Sequence, residues 1–217
     1  MILNIDYMNI KLIGINPKLT QAWRKVFENI KEVSVHDGSI FDFPSDAIVS
    51  PANSYGYMNG GIDFAISKHL GWHIEKRLQE KIRQKYYGEL LIGQAEIVDT
   101  EHKDFPYLIS APTMRHPMTI LRTPNIYLAM RAILLLWKYG IFENGKEIKD
   151  SVDSIAIPGL GTGIGQVPPM ACARQMRIAW EDVMNEKHTS VDSWKEMGEN
   201  FAFFYTDDLR DLKYDIP

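Results

Sequence analysis

The sequence predicts an α/β domain. Short apolar runs alternate along the chain with amphipathic stretches of helical spacing, which is the pattern of helices packed against a sheet. The 217 residues are 45% hydrophobic and 24% charged, so a chain of this length can bury a substantial core. Because composition never shifts sharply, we expect one domain over residues 1–217, with a polar excursion near 187–198 and a charged tail at 207–217.

The first half of the chain predicts three strands and two helical regions. The strands are Ile10 to Ile15, Val33 to His36 and Asp46 to Ser50. Thr20 is a predicted N-cap, and the helix after it places Trp23, Val26, Phe27 and Ile30 at helical spacing. The wholly apolar run Ala47-Ile48-Val49 indicates a central strand covered on both faces. A long helical region extends from Ile62 towards Tyr87, with a break near Gly71.

The second half predicts four further strands and two helices. The strands are Glu89 to Val98, Tyr107 to Ser110, Ser154 to Ile157 and Phe201 to Tyr205. Thr123-Pro124 is typical of an N-cap followed by proline at the first helical position, and Gly140 ends that helix. Pro168 or Pro169 opens the other helix, whose apolar face includes Met176 and Trp180.

Composition excludes some classes of function. The net charge of −4 argues against a broad nucleic-acid surface, so we expect nucleic acid only as a modified substrate. A single cysteine, Cys172, forms no internal disulfide, fits a reducing compartment and is predicted to be a buried structural thiol. Met1 to Ile15 has no signal-peptide pattern and no apolar run is long enough to span a bilayer, so we expect a cytoplasmic protein. The histidines lack metal-ligand spacing, and we expect neither a metal nor a cofactor.

Two segments between a strand and a helix are candidates for a ligand site, since ligands bind at strand ends in open α/β sheets. The first combines Ser50-Pro51-Ala52-Asn53 with Gly60-Gly61-Ile62-Asp63. A glycine pair before a helix lets an anion approach free N–H groups, and an asparagine amide suits ribose hydroxyls. Taken alone, Asp63 is better explained as a residue that complements the helix dipole, and Asn53 as a turn former.

The second candidate is the glycine-rich segment 158–165, Pro158-Gly159-Leu160-Gly161-Thr162-Gly163-Ile164-Gly165. Four glycines in seven residues make a loop whose N–H groups can wrap a phosphate. The segment matches neither the P-loop nor the G-x-G-x-x-G pattern. By itself it is also consistent with a tight connection that binds nothing.

Together the two segments resemble the macrodomain family. Asp46 to Asn53 is similar to its strand with an Asn-Ala-Ala-Asn motif, Gly60 to Asp63 to its Gly-Gly-Val-Asp, and Gly161 to Gly165 to its second phosphate loop. The ten-residue step from Asn53 to Asp63 matches hydrolytic members, and the resemblance covers roughly residues 10–205. It implies a three-layer α/β/α fold with a mixed, mostly parallel sheet of about six strands.

The sequence departs from the family pattern at three residues, and its span from Ser67 to Gly93 is longer than in compact members. Ser50 stands where the strand motif has its first asparagine, and Gln166 follows the second loop where the family has a bulky or aromatic residue. Ser39, in Gly38-Ser39-Ile40, takes the place of the aspartate that binds adenine, with Asp37 next to this segment.

The resemblance implies that the chain binds ADP-ribose, free or attached to a macromolecule, and hydrolyses ADP-ribosyl linkages. Asp63 would direct a water at the distal ribose, and Asn53 would hold the ribose hydroxyls. The implied binding residues are Ser39, Ile40, Asn53, Gly60, Gly61, Ile62, Gly161, Thr162, Gly163, Ile164, Gly165 and Tyr205. The alternatives are a reader of ADP-ribose without turnover, a phosphatase acting on ADP-ribose-1″-phosphate, and a structural component that has lost the ligand.

Overall fold

A six-stranded sheet forms the centre of the computed structural model, which describes residues 8–187 and 193–205. The strands are β1 (Asn9–Gly14), β2 (Val33–Asp37), β3 (Ala47–Ser50), β4 (Glu96–His102), β5 (Phe105–Ser110) and β6 (Ser154–Ile157). Their spatial order is β2-β1-β6-β3-β5-β4. All neighbouring pairs are parallel except β4 and β5, which confirms the prediction of a mixed, mostly parallel sheet.

Helices cover both faces of the sheet. They are α1 (Pro17–Phe27), α2 (Gly61–Leu70), α3 (His73–Tyr86), α4 (Asn125–Tyr139), α5 (Pro169–Met184) and α6 (Trp194–Ala202). The apolar faces of α1, α4 and α5 form one core cluster with one side of the sheet, and α2 and α3 form a second cluster with the other side. The three-layer α/β/α prediction is therefore confirmed. No helix within the described ranges is long and apolar enough to cross a membrane.

Strand β3 connects the two cores. Ala47 and Val49 belong to the first cluster and Ile48 to the second, because successive side chains of a strand point to opposite faces. All four residues of β3 are buried, as the apolar run predicted. Since β3, β5 and β6 are parallel, their carboxyl ends lie at one edge of the sheet and bring together the segments 51–60, 111–117 and 158–165.

The break at Gly71 is confirmed, because Gly71 caps the C-terminus of α2 with a φ of 107°. Two predicted N-caps are wrong. Asn16, whose side chain accepts from the Lys18 N–H, caps α1 in place of Thr20. Pro124 occupies the cap of α4, one residue after Thr123. The predicted strand at 89–98 begins only at Glu96, after a turn closed by the Gln94 N–H on the Leu91 carbonyl.

The predicted strand from Phe201 to Tyr205 is wrong. Helix α6 occupies this segment up to Ala202, and a turn follows it. Ser193 caps the start of the helix, since its hydroxyl accepts from the Glu196 N–H at 3.2 Å. The helix therefore begins inside the segment predicted as a polar excursion. The ring of Phe201 contacts those of Phe204 and Tyr205 at 5.9 and 5.5 Å, which are contacts at helical spacing. Residues 188–192 and the tail predicted at 207–217 lie outside the described residues.

Candidate functional site

A cleft of about 130 Å³ lies at the carboxyl edge of β3, β5 and β6. One wall is the loop after β3 with the first turn of α2, the second is the glycine loop after β6, and the third is the segment after β5. Its lining residues are Pro51, Ala52, Asn53, Tyr57, Asn59, Gly60, Gly61, Ile62, Asp63, Thr113, Met114, Pro117, Gly161, Gly163, Ile164 and Gly165. Two wider hollows, of about 570 and 670 Å³, lie beside α4 and α5 and beside α3 and β4, away from the glycine loops.

Asp63 supplies the carboxyl group of the cleft. It lies in the first turn of α2, and the buried Ser50 hydroxyl at the end of β3 donates to its Oδ1 at 2.7 Å. Burial raises the pKa of Asp63 to about 7, while the Ser50 hydrogen bond lowers it. The other carboxyl oxygen, Oδ2, has no hydrogen-bond partner within residues 8–187 and 193–205. The carboxyl group of Asp63 therefore changes charge near neutral pH. Its Oδ2 is free to contact a ligand.

Asn53 organises the loop that forms the first wall. Its Oδ1 accepts from the N–H groups of Tyr55 and Tyr57 at 3.1 and 3.3 Å, and its Nδ2 donates to the Tyr57 carbonyl at 2.8 Å. Both lone pairs of the Asn53 amide oxygen are thus used inside the loop. One N–H of the side chain is left for a ligand, so the structure gives Asn53 a role in shaping the wall that the sequence did not reveal.

Three of the glycines leave open space for a ligand. A Cβ placed on Gly60, Gly61 or Gly163 would meet no atom within 4 Å. Packing therefore does not require glycine at Gly60 and Gly163. Packing does not require glycine at Gly61 either, but the φ of +56° there favours it. The three positions mark the parts of both walls where a side chain would fill the cleft.

The other glycines of the second loop are required by packing. A Cβ on Gly165 would lie 2.5 Å from the Gly161 carbonyl oxygen, and one on Gly159 would lie 2.4 Å from Oγ1 of Thr162. Gly161 has a φ of +63°, and its Cβ would lie 2.5 Å from Cδ1 of Ile126. The glycine-rich segment thus combines a tight turn with a wall open to ligand at Gly163.

Several N–H groups of the two glycine walls have no hydrogen-bond partner among the described residues. Within the part of the chain that the structure describes, the N–H groups of Gly61 and Ile62 and those of residues 162–165 donate to no acceptor. The first group lies at the N-terminus of α2, where the helix dipole favours an anion. Among the described residues no lysine or arginine lines the cleft, so the donors for a phosphate there are uncharged groups such as these amides.

The structure brings nine of the predicted site residues together at the cleft: Asn53, Gly60, Gly61, Ile62, Asp63, Gly161, Gly163, Ile164 and Gly165. Ser39, Ile40, Thr162 and Tyr205 do not line it. Ser39 caps the short 3-10 helix Ile40–Asp42, where its hydroxyl accepts from the Phe41 N–H at 3.3 Å. Ile40 is buried in the second core cluster.

Tyr205 packs against the aromatic rings of α6. Its hydroxyl is buried without a hydrogen-bond partner among the described residues, and burial raises its pKa to about 12. Arg174 of α5 donates to its carbonyl at 3.1 Å. These contacts attach the end of the α6 segment to α5.

The third wall was missed by the sequence analysis. Thr113, Met114 and Pro117 follow β5, and they line the cleft together with Tyr57 and Asn59. The hydroxyl of Thr113 donates to the Pro51 carbonyl at 3.0 Å, which ties this wall to the loop after β3. The predicted strand at Tyr107 to Ser110 was the available signal, since the residues after a parallel strand next to β3 must reach the same edge.

Comparisons with known proteins agree with this architecture. The chain is 34% identical over 145 residues to an uncharacterized protein of Aquifex aeolicus. The aligned part covers 67% of this chain and 78% of that protein. It is 30% identical over 160 residues to one of Sulfurisphaera tokodaii, at 73% and 80% coverage.

Solved macrodomains share the fold. The Oceanobacillus iheyensis macrodomain with ADP matches with a TM-score of 0.56 and 21% identity, covering 82% of this chain and 90% of that one. The macrodomain of Mycobacterium tuberculosis DarG matches with a TM-score of 0.54 and 20% identity, covering 67% and 88%. The family model "Macro domain" matches residues 49–176, which include the end of β3, α2 and the glycine loop. The chain therefore belongs to the Macro domain family.

Proposed function

We propose that the cleft binds ADP-ribose and that the protein hydrolyses ADP-ribosyl linkages on a macromolecule in the cytoplasm. The observation that carries the proposal is the placement of a carboxyl group, Asp63, between two glycine walls with unpaired N–H groups; burial raises the pKa of this carboxyl group to about 7. Groups whose pKa is shifted close to neutrality inside a cleft are typical of general acids and bases.

The diphosphate would lie between the two glycine walls. Amides of Gly61 and Ile62 and of residues 163–165 would donate to its oxygens, and the N-terminus of α2 would offset its charge. The open space at Gly60 and Gly163 gives the phosphates room to approach the backbone. A solved macrodomain of the same fold, that of Oceanobacillus iheyensis, contains ADP, which has the same diphosphate.

The distal ribose would then lie beside Asp63, and the free N–H of the Asn53 amide would hold a ribose hydroxyl. In the hydrolytic step the carboxylate of Asp63 takes a proton from a water as the water oxygen bonds to the anomeric carbon. The bond from that carbon to the linking atom breaks, and its electron pair leaves with the linking atom. The proton held by Asp63 passes to this leaving group, so the net reaction adds one water.

The test is release of ADP-ribose from an ADP-ribosylated protein by wild type and by Asp63→Asn. We expect turnover by wild type and a loss of at least a hundredfold in kcat in the variant, because a general base contributes about 10²–10⁴. ADP-ribose affinity, measured by calorimetry on the same samples, should change only a few-fold. Binding without turnover of any linkage by wild type would overturn hydrolysis and leave a reader of ADP-ribose.

A further inference from the structure

The contact between Ser50 and Asp63 joins two elements of the site. Ser50 is the last residue of β3, with no exposed surface, and Asp63 belongs to the first turn of α2. The 2.7 Å hydrogen bond from the Ser50 hydroxyl fixes one carboxyl oxygen towards the sheet. The acid is thereby held by the rigid centre of the fold and not by a mobile loop.

A neighbouring serine shows that burial alone does not explain the hydrogen bond from Ser50 to Asp63. Ser110 of β5 is paired with Ser50 in the parallel register and is equally buried. The two point to the same face of the sheet, since Ile48 and Leu108, two residues earlier in each strand, both belong to the second core cluster. Yet within the described residues the Ser110 hydroxyl has no hydrogen-bond partner, and only Ser50 contacts Asp63.

Charged groups on the surrounding elements are paired elsewhere or lie away from Asp63. Glu75 of α3 accepts from the Met58 N–H at 2.6 Å, and Arg115, after β5, pairs with Glu89 at 2.6 Å. Lys68 and His69 lie in the last turn of α2, at the opposite end from Asp63. Burial and the Ser50 hydrogen bond are the two influences on the carboxyl group, and they act in opposite directions.

We propose that Ser50 is the positioning residue of Asp63: its hydroxyl holds Oδ1 and directs Oδ2 to the water. This inference rests on the proposed hydrolytic function. A hydrogen bond to a carboxylate stabilises the charged form, so losing it favours the protonated acid, which takes no proton from water.

The experiment compares Ser50→Ala with its matched control Ser110→Ala, which removes the same hydroxyl from an equally buried, paired position. Carboxyl-carbon NMR of Asp63 across pH is read beside the pH profile of kcat/KM. In Ser50→Ala we expect the titration midpoint to rise by about one pH unit, the effect of about one hydrogen bond. With no change in KM, kcat at pH 7 should fall roughly five- to tenfold. Ser110→Ala should match wild type, and Ser50→Thr, which keeps the hydroxyl, should recover most of the activity.

An unchanged midpoint in Ser50→Ala, or an equal rise in Ser110→Ala, would overturn the inference. A raised midpoint in Ser50→Ala combined with a wild type that has no turnover would support the role of Ser50 in holding the carboxyl group and overturn only the hydrolytic function. The two proposals thus fail in different measurements.

Discussion

Gly161 and Gly163 are two residues apart in the same loop and have opposite surroundings. A Cβ on Gly161 would lie 2.5 Å from Ile126 and 2.9 Å from Ile120, whereas one on Gly163 would meet nothing within 4 Å. The backbone of Gly161 is left-handed, with a φ of +63°. One glycine is therefore required by the fold, and the other leaves the cleft open.

Gly163→Val should abolish ADP-ribose binding and leave the fold intact, because its side chain would occupy the space of the diphosphate. We expect at least a hundredfold loss of affinity by calorimetry, with a change of about 0.5 kcal/mol or less in the free energy of unfolding. Tight binding by this variant would mean that the second loop is only a connection.

Gly161→Val is the matched comparison for stability. The left-handed backbone alone should lower the free energy of unfolding by about 1–3 kcal/mol, and the contacts with Ile120 and Ile126 should add to this loss. Urea denaturation measures it directly. Stability equal to wild type would contradict the assignment of Gly161 to the packing of the loop.

Hydrolysis should depend on pH through Asp63. The acting form is the carboxylate, and burial raises its pKa to about 7. We therefore expect kcat/KM to rise about tenfold per pH unit below pH 7 and to level off above it. A flat profile between pH 5 and pH 8 would show that another group limits the reaction.

Stability should depend on pH through the same carboxyl group. In the unfolded chain Asp63 titrates at 3.8, and in the folded protein at about 7. Between these pH values the folded state holds one proton more than the unfolded chain. The contribution of this carboxyl group to the free energy of unfolding is therefore fully present below pH 4 and is lost as the pH rises to 7. Relative to Asp63→Asn, the free energy of unfolding of wild type should fall by at most about 4 kcal/mol over this range. Urea titrations at several pH values measure this difference, and parallel curves for the two proteins would refute it.

Ser39→Asp should strengthen the binding of ligands that contain adenine. Asp37, the other carboxyl group near this segment, is paired with Arg24, whose hydrogen bond lowers the pKa of that carboxyl group. Aspartate caps a helix as well as serine does, so the turn at Ile40–Asp42 should persist. A charge-assisted hydrogen bond of about 1.5–3 kcal/mol predicts a gain of about tenfold or more for ADP-ribose. Ribose 5-phosphate, which lacks adenine, is the control, and an equal gain for it would contradict the assignment.

The sequence predicted the centre of the site because local signals determine it. The apolar run Ala47 to Val49 indicated a central strand, and the glycines at 60–61 and 161–165 indicated the two walls. Each signal is carried by residues close together in the chain, and all of these elements formed as expected.

One feature that the sequence did not predict depends on packing between distant elements. The bond between Ser50 and Asp63 exists only because α2 packs over the end of β3. The aromatic segment at 201–205 suits a strand by composition, but its ring contacts follow helical spacing and Ser193 caps the helix before it.

Calorimetry of the wild-type protein with ADP-ribose, and with adenosine for comparison, tests the central claim most directly. The unpaired amides of the two glycine walls predict one binding site whose affinity comes from the diphosphate. We expect saturable binding of one ADP-ribose per chain and at least a hundredfold weaker binding of adenosine. An absence of heat with ADP-ribose, or equal affinity for adenosine, would contradict a cleft built for the diphosphate.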